Sequence, residues 1–150
     1  MHLPFPARFL RTLLVPAVLL AAFLAAGPIT GAGVGPALAL TNCNVSDLTV
    51  DSEERAFLTL INNYRAQNGA PTLTISVNLN RSASWMALDL GAKNYFSHTD
   101  SLGRDPSKRA QDCGFPGGAG ENIAAGTVID TAQEAFDLWR NSSGHNANML

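Results

Sequence analysis

Trp139-Arg140-Asn141-Ser142-Ser143-Gly144-His145-Asn146-Ala147-Asn148-Met149-Leu150 joins a large aromatic residue that needs a core to a polar, glycine-bearing run that carries a histidine. Reading back from Trp139, the residues Phe136, Ala135 and Ala132 fall on one helical face. Asp130, with Gln133 three residues on, supplies a capping pattern at the start of that helix. The spacing therefore predicts a helix that opens at Asp130 and ends at Gly144.

Three more helices follow from the same logic further upstream. Asp51 precedes Ser52-Glu53-Glu54, and Phe57, Leu60, Ile61 and Tyr64 recur at i, i+3, i+4 and i+7. That helix should stop near Asn68, because Gly69 offers a left-handed cap and Pro71 cannot continue the ladder. A second helix is expected from Asn78 as cap to Gly91, with Leu79, Ala83, Met86, Ala87 and Leu90 as its apolar stripe and Trp85 and Leu88 widening it. Asp105-Pro106, a cap followed by proline at the first helical position, opens a short third helix that ends near Cys113-Gly114.

Strand signals are poor. Leu73-Thr74-Ile75 and Asn122-Ile123-Ala124 are short and read equally as extended connectors, while Phe115-Pro116-Gly117-Gly118-Ala119-Gly120 must be loop.

The first residues carry Arg8 and Arg11 and no acid, and an apolar stretch runs from Leu13 to Ala26. The stretch is interrupted by Pro16, is shorter than the roughly 20 residues that span a bilayer, and gives way to small residues ending in Ala37-Leu38-Ala39. Residues 1–39 thus read as a signal peptide, 40–51 as an N-terminal linker and 52–150 as one domain. An uncleaved anchor is the alternative, and would be the only membrane attachment; a lipoprotein signal at Cys43 fits less well, with Asn42 where a small residue is wanted. Each places the domain outside the cytoplasmic membrane.

Removal of the leader leaves 111 residues, enough for one modest core. Eight Lys and Arg then face twelve Asp and Glu, a net charge of −4 with no basic patch, which argues against nucleic acid and anionic headgroups as partners. Cys43 and Cys113 are the only cysteines, and in an exported chain they are expected to pair.

His98 and His145 both lie in polar, glycine-flanked connections, where binding groups concentrate. Glu121 enters the apolar run Ile123-Ala124-Ala125, so it needs a histidine, a cation or backbone amides beside it. The separations of 23 and 24 residues along the chain are too long for a local metal motif, so spacing alone makes no site of the three.

Asn94-Tyr95-Phe96-Ser97-His98-Thr99-Asp100-Ser101-Leu102-Gly103-Arg104, then Gly120-Glu121-Asn122-Ile123-Ala124, then Trp139 to Leu150, resemble the successive motifs of the CAP superfamily, also called SCP or pathogenesis-related-1-like, in its bacterial form. The resemblance implies an α+β fold, a three-layer α-β-α sandwich, whose C-terminal strands would lie past Leu150 and be absent from this chain. It also implies a cavity lined in many members by two histidines and two glutamates. His98, Glu121 and His145 match three of these positions, and Ser142 stands at the fourth. Glu134 is no substitute, since it sits about 200° around the helix from Ala132 and faces away from the apolar stripe.

The leading functional expectation is a secreted, non-enzymatic binding module for a small hydrophobic, lipid-like or cell-envelope ligand, with His98, Glu121, Ser142 and His145 in its cavity. One alternative is a zinc-dependent hydrolase in which His98 and His145 hold the metal and Glu121 orients them or acts as general base. Another is a structural envelope protein that acts through protein contacts. No cofactor is certain from the sequence, and zinc is the one that the hydrolase alternative would need.

Overall fold

The computed structural model describes residues 42–126 and 129–150, so the expected signal peptide at 1–39 lies outside the described residues. Among them are five helices: α1 (Ser52–Gln67), α2 (Val77–Lys93), α3 (Pro106–Asp112), α4 (Ala132–Arg140) and α5 (Ser143–Met149). None of them is long and apolar enough to cross a membrane.

The first helix begins as its sequence requires. Asp51 accepts the Glu54 amide at 2.8 Å, and the Glu54 carboxylate accepts the Asp51 amide at 2.9 Å, so two of the orphan N-terminal donors are satisfied reciprocally. Gly69, at φ +71°, turns the chain out of the helix. Phe57 and Ile61 are buried, with Leu60 and Tyr64 packed partly against them.

The second helix departs from its expected limits at both ends. Ser76, not Asn78, is the cap and accepts the Leu79 amide, while the Asn78 side chain donates to the Gly114 carbonyl at 2.7 Å. The helix passes through Gly91, whose cost in a helix interior is only about 1 kcal/mol, and stops at Asn94 in the left-handed conformation, φ +52°. Leu88 does not widen the buried face; it is 57% exposed, because it lies two residues, about 200°, from Met86. Asp89 is buried beside it instead.

Asp105 caps α3 through the Lys108 amide at 2.7 Å with Pro106 in the first turn, as expected. The start of α4 is set one residue later than the sequence reading has it: Thr131 is the cap and Glu134 completes the box. Gly144 does not end that helix. The chain breaks at Asn141 and Ser142, whose extended ψ of 120° starts the separate helix α5.

The described residues are helical, and the expected central sheet is not seen in them. The two short apolar segments stay as connectors because side chains take the place of a ladder partner. Asn62 accepts the Leu73 amide at 2.7 Å and donates to the Leu73 carbonyl at 3.0 Å; the Trp139 indole donates to the Ile123 carbonyl at 3.4 Å.

Two cores result. Phe57, Ile61, Leu73, Phe136, Trp139 and Met149 form the larger, where α1, α4 and α5 meet, with Phe57 edge-on to both Trp139 (5.2 Å) and Phe136 (6.4 Å). Leu79, Ala83 and Ala110 form the smaller, between α2 and α3. Cys43 and Cys113 pair as expected, both buried, with Cα atoms 5.4 Å apart, and fasten the segment before α1 to the end of α3. Asn80 adds a bond to the Leu48 carbonyl at 2.9 Å in the same segment.

Candidate functional site

Glu121 follows the glycine-rich loop and enters the interior with its side chain 1% exposed, so its charge needs partners. It has two. Oε1 lies 2.9 Å from His98 Nδ1, and Oε2 meets the Arg109 guanidinium. A histidine and a cation, named as alternatives from sequence, are both present. Arg109 is itself fully buried, and its Nη1 donates to the His98 carbonyl at 3.3 Å. Arg109 therefore holds the histidine by its main chain while holding the carboxylate that holds its ring.

The loop that carries His98 is fixed by two further acids. Asp100 accepts the amides of Leu102 (3.0 Å) and Arg104 (2.9 Å) and the Arg104 Nε at 2.7 Å. Asp89 accepts the Tyr95 hydroxyl at 2.5 Å, the Ser101 amide at 2.9 Å and the Ser101 hydroxyl at 2.7 Å, with Lys93 at 3.0 Å. Burial alone would raise the Asp89 carboxyl, but the Tyr95, Ser101 and Lys93 hydrogen bonds outweigh it and hold it at about 2. Burial, then the bond to Asp89, push the Tyr95 phenol up. The Arg104 guanidinium lies over the Trp85 ring at 4.4 Å, which gives its cationic face an apolar partner where Nη2 has no hydrogen bond.

His145 belongs to a second pair. Its Nδ1 lies 2.8 Å from the Ser142 hydroxyl, which heads α5 without capping it and so is free for the imidazole. Asn122 connects the two pairs: adjacent in sequence to Glu121, it donates to the His145 carbonyl at 3.1 Å and accepts from Asn148 at 3.0 Å. Gly120 lets the Asn148 side chain approach, because a Cβ at that position would stand 2.0 Å from Asn148 Oδ1.

All four expected site residues are thus engaged, as His98–Glu121 and Ser142–His145. Glu134 is exposed in its capping box, where the Thr131 hydroxyl and then the Asp130 and Thr131 amides hold its carboxyl below the usual range. Among the described residues, no three His, Cys, Asp or Glu side chains come together as a metal-ligand group, and the two Glu121 oxygens face His98 and Arg109.

Arg109, Asp89 and Asn122 were not singled out from sequence. Asn122 was detectable in principle as the polar neighbour of a carboxylate entering an apolar run. Arg109 was not, since nothing local separates it from Arg104 and Lys108 beside it.

A disulfide-tied helical domain in which two loops and α3 bring together a histidine–carboxylate–guanidinium cluster is the class that these observations define. The family model described as the cysteine-rich secretory protein family, CAP, matches residues 58–150, and the chain belongs to that family. No curated protein and no solved structure matches it significantly.

Proposed function

We propose that this CAP-domain chain is a secreted, non-enzymatic binding module in which His98 supplies the polar anchor for a small hydrophobic, lipid-like or cell-envelope ligand. The observation that carries this reading is the occupation of Glu121. A general base must reach its water, and this carboxylate, with its side chain 1% exposed, instead faces the imidazole through one oxygen and Arg109 through the other. Its role is to position His98, whose side chain is 52% exposed at the end of the network. Phe96 and Leu102, on the same loop, are 58% and 49% exposed and offer apolar contact on either side of the imidazole in sequence.

Export is supported by the disulfide, which persists in oxidising compartments, and by the apolar leader with its small-residue end at Ala39. We propose further that the described helices form the outer layers of an α-β-α sandwich, a reading that family membership supports.

The test is a binding screen of the secreted protein against fluorescent fatty acid, fluorescent sterol and sedimented cell-wall glycan, beside His98→Ala. Saturable binding to one probe, weakened at least tenfold in a His98→Ala protein with unchanged circular dichroism, is expected. Binding equal in the variant would remove His98 from the site, and no binding to any probe would end the reading.

A further inference from the structure

We infer that Arg109 sets the hydrogen-bonding polarity of His98, fixing the ring with its proton on Nδ1 and presenting Nε2 outward as an acceptor. Glu121, with its side chain 1% exposed, touches a guanidinium that cannot lose its proton, so the carboxyl is ionised. An ionised carboxylate only accepts. The proton in the 2.9 Å bond between Glu121 Oε1 and His98 Nδ1 therefore belongs to the imidazole. In the neutral ring the remaining nitrogen, Nε2, then carries a lone pair.

Removal of the guanidinium reverses this. Without the guanidinium, no fixed cation pairs the buried carboxyl, and the bond to Nδ1 is made with the shared proton on Oε1 instead. The imidazole proton moves to Nε2, and the outward edge changes from acceptor to donor. Arg109 is a positioning residue: it is fully buried, and it acts through Glu121 on the ring and through the His98 carbonyl on the loop. Its partial replacement by lysine keeps the charge, and with it the polarity, although the second contact is lost.

The consequence for binding rests on the proposed function above. An outward acceptor, set on a loop with exposed Phe96 and Leu102, takes an amphiphile whose head donates a hydrogen bond, in preference to one with an ionised carboxylate head.

The tautomer is read by nitrogen NMR of the imidazoles in the full chain at about pH 8, where an ordinary imidazole is neutral. The His98 signals are assigned by their loss in His98→Gln. The protonated-Nδ1 form is expected in the native protein and in Arg109→Lys, and the protonated-Nε2 form in Arg109→Met. A native His98 protonated on Nε2 overturns the inference, as does a folded Arg109→Met protein that keeps the proton on Nδ1. Should Arg109→Met fail to fold, the native and Arg109→Lys spectra decide. Isothermal titration with a long-chain primary alcohol and the fatty acid of equal length adds the binding arm. The alcohol should bind about fivefold to tenfold tighter, the worth of one hydrogen bond, and a tighter fatty acid would overturn the assigned polarity. If neither binds, the proposed function fails while the spectra still answer for Arg109.

Discussion

The two halves of the molecule are held together by different physics. Where α1, α4 and α5 meet, Phe57, Tyr64, Phe136 and Trp139 stack edge to face, and nonpolar burial carries the packing. Between α2 and α3 the shared core is Leu79, Ala83 and Ala110, with Phe115 and Ala119 packed against them, a smaller cluster than the first. That half relies instead on the Cys43–Cys113 bond and on a buried cluster of Asp100, Arg104, Arg109 and Glu121. The polar half is where a functional histidine can be held. A hydrophobic core tolerates no uncompensated charge, whereas a half built on ion pairs already contains groups that can orient a histidine, and His98 is found there.

The aromatic half depends most on Trp139. It is 2% exposed and makes the 5.2 Å ring contact to Phe57, so Trp139→Ala should lower stability by about 5 kcal/mol, read by chemical denaturation. The loss should fall on α1, α4 and α5, and hydrogen exchange should show protection in α2 surviving longer than in α4. Equal loss of protection in both would mean that the halves form one cooperative unit.

In the other half the largest single change is the disulfide. It links residues 70 apart in sequence, so a Cys43→Ser, Cys113→Ser protein should be about 4 kcal/mol less stable on the loop-entropy account. Because α3 ends at Cys113 and carries Arg109, the same variant should broaden the His98 imidazole resonances while leaving those of His145 sharp. A disulfide-free protein with native stability would assign the α2–α3 half to its ion pairs alone.

How much of this contrast the sequence made legible follows from the range of the forces. Helices α1 and α3 were readable to within a residue because their caps, Asp51 and Asp105 with Pro106, act within one turn. At α2 and α4 two caps competed, Ser76 with Asn78 and Thr131 with Asp130, and the winner depended on partners such as the Gly114 carbonyl that lie far along the chain. Helix α5 was missed because Gly144 reads as a stop, although it lies in the first turn, where the helix has few bonds to lose. For the site, His98, Glu121, Ser142 and His145 were named in advance, but their division into two pairs was not. Arg109 anchors the first pair and Asn122 bonds the backbone of the second, roles that exist only in the folded chain.

Acid should act on the polar half first. Asp89 is held at about 2 against an ordinary 3.8, so the folded state binds its proton more weakly than the unfolded chain. The stability this contributes is complete above 3.8 and is lost as pH falls toward 2. Unfolding between these limits should be less steep in Asp89→Asn, and the native protein should lose the Ser101 end of the His98 loop there before α4 unfolds. An identical acid transition in Asp89→Asn would locate the sensitive carboxylate elsewhere.

The smallest change tests the seam. Asn122 lies beside Glu121 in sequence, yet it bonds the His145 carbonyl and is bonded by Asn148, so it couples the histidine of one half to the carboxylate of the other. Gly120→Ala would place a Cβ 2.0 Å from Asn148 Oδ1. Asn148 is an exposed side chain at the end of a short helix and can rotate away, so the substitution should cost only the Asn148–Asn122 hydrogen bond, about 1 kcal/mol. Its effect on structure should be local: the His145 resonances should shift while those of His98, held by Glu121 and Arg109, should not. If His98 moves as well, the two pairs share one site through Asn122. If only His145 moves, the halves carry separate polar pairs, and ligand binding through His98 should survive Gly120→Ala intact.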